Sequence, residues 1–142
     1  DNEHNLKKLA KKLGIEGKTK FYGYISDEEK KQVLMEVDVV VNTSQKEGWG
    51  ITNIEANACG TPVISANVPG LRDSVKNYQS GLLYEFGNIT DLKNKLVELL
   101  TNPQLKAQLQ NGAIEWAKTF NWDISARQML QFCEDIIYNF KK

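Results

Sequence analysis

Two glutamates, Glu47 and Glu55, stand eight positions apart in KEGWGITNIEANACGTPVISA (residues 46–66), around the triplet Gly48-Trp49-Gly50. Three readings compete for them. In the first, the glycines strip Cβ atoms from a loop so that a ligand can approach the backbone. A helix starting at Ile51 then aims unpaired N–H groups and a positive dipole end at it. Phosphate or sugar oxygens suit such a place. A carboxylate repels phosphate, so Glu55, one turn into the helix, is expected on a vicinal diol such as the ribose hydroxyls. Glu47 would meet sugar hydroxyls at the other end of the ligand, and a nucleotide sugar fits both. In the second reading the pair belongs to a hydrolase, one carboxyl as acid and the other as nucleophile. In the third, Gly48 and Gly50 form a turn and both carboxylates are solvated surface. Spacing in sequence sets no distance in space, so all three stay open at this point.

Little else in the chain could do chemistry. The single histidine, His4, falls in the first turn of the first helix, which removes the usual general base from any mechanism built on this chain alone. Cys59 and Cys133 lie far apart in apolar stretches without metal-ligand spacing, and read as buried free thiols of a reducing cytoplasm. Eighteen Lys and Arg balance eighteen Asp and Glu. That balance excludes a nucleic-acid binder driven by bulk charge, and a surface held to anionic lipid by a basic field. Lys7, Lys8, Lys11, Lys12, Lys18 and Lys20 read as a solvated helix face. With neither a leader-like start nor an apolar run of eighteen residues among these 142, the chain itself is expected neither to target nor to span a membrane, and a peripheral role stays open.

The elements that must position the glutamates follow from periodicity. A chain of 142 residues with 41% hydrophobic content is expected to form one domain, residues 1–142, around a sizeable core. An amphipathic helix over residues 3–13 ends at Gly14, and TKFYGY (residues 19–24) reads as a short aromatic strand. Ser26 or Asp27 caps the next helix. DVVVN (38–42) and PVIS (62–65) read as strands covered on both faces, with a helix from Ile51 to about Cys59 between them, stopped by Gly60. VPGLRDSVKN predicts a turn and a short helix, and GLLY, from Gly81, another strand. The alternation implies an α/β fold with a parallel sheet. The C-terminal third is helical. One stripe runs Leu92, Leu96, Leu99, Leu100, capped by Thr90 or Asp91; Asn102-Pro103 separates it from Leu105, Leu109, Ala113, Trp116, Phe120. A last stripe runs Met129, Cys133, Ile136, Ile137, Phe140, and all three are expected in the core.

EGWGITNIEANACGTPVISA closely resembles the Glu-x7-Glu signature of retaining glycosyltransferases of the family 4 type, which have the two-domain GT-B fold. TKFYGYISDEE, EVDVVVNTS, VPGLRDSV, SGLLYEFGNITDLKNKLVELL and FNWDISARQ are similar to that family's flanking segments, so the resemblance covers essentially the whole chain. It implies a Rossmann-like, three-layer donor-binding domain that transfers a hexose from a UDP- or GDP-linked sugar with retention, without metal or other cofactor. Carried over residue by residue, it implies that Glu47 contacts the donor sugar as the catalytic position. Gly48, Trp49, Gly50, Ile51 and Thr52 would meet sugar and diphosphate, Glu55 the ribose, and the backbone at Tyr24 and Ile25 the base. The chain departs from the pattern at Thr43-Ser44, at Asn57 and at Asp73. Asn57 replaces an apolar residue and needs a hydrogen-bond partner or water if buried.

The resemblance further implies a fragment of a longer enzyme, lacking the acceptor-binding N-terminal domain and the first two strands and diphosphate-neutralising cations of the C-terminal one. The remaining strands are then expected to close into a sheet of about four, including residues 19–24. The isolated chain is expected to be inactive, in a cytoplasmic or peripheral inner-membrane enzyme of unknown acceptor. Two alternatives are a non-catalytic nucleotide-sugar-binding module and a related GT-B epimerase.

Overall fold

An unbroken apolar strand needs cover on both faces. In the computed structural model, which describes residues 2–140, Val63–Ala66 has it. This strand (β2) lies between Val40–Asn42 (β1) and Gly81–Tyr84 (β3) in a three-stranded, all-parallel sheet, with Val41 opposite Ile64 and Ile64 opposite Leu82. The period of two sends alternate side chains to opposite faces. Ile64 and Leu82 join Val68, Leu71, Leu99 and Leu109 in one buried cluster, while Val63 joins Leu34, Ala56 and Val75 in the other. Helices on both faces make the expected α/β, Rossmann-like three-layer arrangement.

The chain divides into two compact units, Asp1–Lys30 and Lys31–Lys142. The first holds Glu3–Lys12 (α1), a 3-10 turn at Glu16–Lys18 and the start of Asp27–Glu36 (α2). Ser26 and Glu29 cap α2 reciprocally: the Ser26 hydroxyl accepts from the Glu29 N–H at 3.2 Å and the Glu29 carboxylate from the Ser26 N–H at 2.9 Å. The second unit carries the sheet. Ile51–Ala58 (α3) connects β1 to β2 and ends where Gly60 turns left-handed at φ 78°. Ile89–Thr101 (α4) is capped by Asn88, just ahead of the expected Thr90 or Asp91, because the Asn88 side chain accepts from the Asp91 N–H. Pro103–Lys118 (α5) starts at the Asn102 cap with proline in its first turn, as the Asn102-Pro103 break predicts, and packs on α3. Trp122–Phe140 (α6) follows.

Four expectations need correction. Among the described residues the sheet has three strands and not about four: residues 19–24 enter no strand pairing, and Tyr24 is fully exposed. Aromatic propensity cannot make a strand without a hydrogen-bonding neighbour. The short helix after β2 is a succession of turns, because Asp73 and Ser74 fold back locally, the Asp73 carboxylate on the Gly70 N–H and the Ser74 hydroxyl on the Leu71 carbonyl. The stripe on α6 is not in the core: no residue of α6 is buried, and Phe140 is 88% exposed, since amphipathic spacing creates a face without supplying a partner for it. Cys133, on that helix, is therefore an exposed thiol, while Cys59 is half-buried; both are free.

Candidate functional site

The site is built where β1 ends. Asn42, its last residue, donates from its side-chain amide to Asn53 Oδ1 at 3.1 Å, and its own Oδ1 accepts from the Ser44 N–H at 3.2 Å. One side chain thus ties the strand end to α3 and starts the loop that follows. Asn53 is completely buried and fully used: its Nδ2 donates to Ser74 Oγ at 2.8 Å and to Ser65 Oγ at 3.3 Å. A buried amide left without partners would be costly. This network therefore sets the start of α3 against the sheet.

Gly50 joins loop to helix. It sits at the N-cap in the left-handed region, φ 72°, and a Cβ there would lie 2.8 Å from Ser74 Oγ and 2.9 Å from Leu71 Cδ2. Both conformation and space demand glycine. No side chain caps the helix, and the Asn53 N–H in its first turn donates to the Gly50 carbonyl at 2.9 Å. Gly70 makes the second close approach, from behind: a Cβ on it would fall 2.2 Å from the Glu47 carbonyl oxygen. The turn carrying Gly70 is a backing plate for the peptide of Glu47. Gly48 differs from both, with nothing within 4 Å of a Cβ placed there.

Together Asn42, Glu47, Gly48, Trp49, Gly50, Ile51 and Thr52 line a cleft of about 400 Å³. The structure therefore brings together six of the residues singled out in the sequence, at the carboxyl end of a parallel strand and the amino end of the following helix, where α/β folds bind ligands. Glu47 is exposed at the rim. Glu55 is half-buried one turn further along α3 and does not line the cleft. Tyr24 and Ile25 lie in the first unit, just before α2, the one fully exposed and the other half-buried. Asn57, also completely buried, has the partners its position requires on one side only. Its Nδ2 donates to the carbonyls of Thr61 and Ser80, both at 3.1 Å, while its Oδ1 has no partner among the described residues.

Trp49 is held from outside the loop. Its ring packs against that of Phe120 at 4.7 Å between centroids, and Phe120 against Trp116 at 4.8 Å, both pairs T-shaped. Phe120 reaches this place because α5 closes in a tight turn, the Phe120 N–H donating to the Ala117 carbonyl. Periodicity and motif spacing do not reveal these partners. Asn42, Asn53, Ser74 and Gly70 are ordinary polar and turn residues, and Phe120 continues a stripe that reads as core; a polar residue ending a buried strand is the one usable signal. Among the described residues no cluster of three His, Cys, Asp or Glu side chains could hold a metal ion, and no helix is long and apolar enough to cross a membrane.

The fold recurs in known proteins. The family model described as "Glycosyl transferases group 1" matches residues 1–116. The D-inositol 3-phosphate glycosyltransferase of Stackebrandtia nassauensis is 37% identical over 137 residues, which is 96% of this chain and 31% of that protein. Among solved structures, sucrose-phosphate synthase from Thermosynechococcus elongatus superposes with a TM-score of 0.84 at 29% identity, covering 96% of this chain and 34% of that one. HepE of Anabaena, in complex with UDP-glucose, gives 0.82 at 26% identity, covering 93% of this chain and 36% of that one. The chain thus spans about a third of the length of each of these three proteins.

Proposed function

Since this chain belongs to the group 1 glycosyltransferases, we propose that its cleft binds the nucleotide diphosphate sugar of a retaining hexosyltransferase. The observation that carries the reading is the convergence of Glu47, two glycines and the uncapped start of α3 on one cleft at the end of β1. The sugar hydroxyls donate to Glu47, and the diphosphate lies over the peptides of Gly48, Trp49, Gly50, Ile51 and Thr52. Glu55 takes the ribose diol. Negative charge grows on the diphosphate as the sugar leaves. The start of α3, with its dipole, meets that charge without reorganisation and supplies the stabilisation that a metal supplies elsewhere. The UDP-glucose complex of HepE supports a UDP-linked donor.

The acceptor is not set by this third of the protein: one matched relative is named for inositol phosphate and another for sucrose phosphate. Transfer by this chain alone is expected to be slight. A cytoplasmic setting goes with the free thiols at Cys59 and Cys133, with any membrane association made by other parts of the protein.

Calorimetric titration with UDP, GDP, UDP-glucose and GDP-mannose tests the reading. One nucleotide is expected to bind, and Glu55→Ala to weaken it about tenfold or more, as for loss of hydrogen bonds to a charged group. Unchanged affinity in Glu55→Ala removes the ribose role, and no binding by any of the four to the folded chain removes the donor site.

A further inference from the structure

A loop containing Gly48 and Gly50 has many conformations to lose: on its Cβ side Gly48 has nothing within 4 Å, and from the other side only the Gly70 turn approaches the carbonyls of Glu47 and Gly48. Something outside the loop must hold it, or the cleft would have no fixed shape. The restraint at the Trp49 end is aromatic: Trp49 lines the cleft and sets its ring against Phe120, which sets its own against Trp116. Trp116 is anchored in turn, its indole N–H donating to the Ser74 carbonyl at 3.0 Å and the Lys76 ammonium lying 4.9 Å from its ring centre. Ser74 is also the residue whose hydroxyl receives Asn53, which holds Asn42, whose side chain receives the N–H of Ser44 at the other end of the same loop. The circuit therefore closes on the loop from which it starts.

None of Trp49, Trp116 and Phe120 belongs to either buried cluster around the sheet. Phe120 is half-buried and lies beyond the end of α5. Its ring thus has the loop as a neighbour, and not the core. We propose that Phe120, with Trp116, is a positioning residue for the donor loop: it fixes Trp49, and through it the peptides between Gly48 and Gly50, in the conformation that receives the nucleotide sugar. The clamp stands on the geometry, and only the identity of its ligand rests on the function proposed above.

Two readouts on the same variants separate the two ideas. Phe120→Leu keeps an apolar side chain and removes the ring; Phe120→Tyr keeps the ring. Amide exchange over residues 46–52 is expected to rise about tenfold in Phe120→Leu, with β2 and α5 unchanged, and to return to the parent rate in Phe120→Tyr. UDP affinity is expected to fall about three- to tenfold in the first and to be kept in the second, the size of one lost aromatic pair. Unchanged exchange over 46–52 in Phe120→Leu overturns the inference, as does an equal rise throughout β2 and α5, which would make the ring a general stabiliser. If none of UDP, GDP, UDP-glucose and GDP-mannose binds the parent chain, the donor reading fails, and the exchange comparison alone decides the clamp.

Discussion

At the scale of single residues, two glycines that look alike in the sequence do different work. Gly50 is required by the fold, with its left-handed φ and the 2.8 Å and 2.9 Å approaches a Cβ would make to Ser74 and Leu71. Gly50→Ala is expected to cost about 2–4 kcal/mol in urea unfolding, the sum of a left-handed alanine and an overpacked contact. A Cβ on Gly48 would stand in open space, so Gly48→Ala is expected to change stability by less than about 0.5 kcal/mol while weakening nucleotide binding. Equal effects of both substitutions on both measurements would show that the cleft at Gly48 receives no ligand. The motif alone could not separate the two positions, because what distinguishes them is Ser74, more than twenty residues away in the chain. The same holds for Asn53: in the sequence it is one polar residue in an amphipathic helix, and only the folded chain brings Asn42, Ser65 and Ser74 to it.

At the scale of elements, the features legible in the sequence are those decided within a few residues. The β3 segment GLLY, the stop of α3 at Gly60 and the break at Asn102-Pro103 each depend on local backbone chemistry, and each stands where it was expected. Residues 19–24 differ for the opposite reason, because a strand is a relation between segments and this one has no paired neighbour among the described residues. Amides 20–24 are accordingly expected to exchange with solvent near the rate of an open loop, while those of Val63, Ile64 and Ser65 are protected to near the global unfolding free energy. Protection at 20–24 comparable with that of β2 would show a pairing that the structure lacks. The stripe on α6 teaches the same lesson for a helix: its period is visible in the sequence and its burial is not, since burial needs a second surface.

At the scale of the whole molecule, the chain spans about a third of its relatives and carries the cleft, its backing turn and the aromatic clamp within the unit that holds the sheet. Two protons are held more tightly by the fold than by the open chain. Burial pushes the Tyr84 phenol above its usual 10.0, and a hydrogen bond to Tyr78, with the nearby Glu98 carboxylate, pushes the Lys95 ammonium above 10.5 against the lowering effect of burial. Both raised groups stabilise the fold fully below their unfolded values and lose that contribution as pH rises through the folded ones, so stability is expected to decline on the alkaline side. Urea unfolding from neutral pH to above 10.5 checks the sign, and Tyr84→Phe should flatten part of the decline. What the sequence by itself determined was the class of fold, the family and the loop that lines the cleft, because periodicity, glycine positions and motif spacing are local patterns. Which glycine is structural, what holds Trp49, that residues 19–24 stay unpaired and that α6 remains uncovered were decided only in three dimensions. Each depends on which distant surfaces come within contact, and the free energy of such contacts is absent from any short stretch of chain.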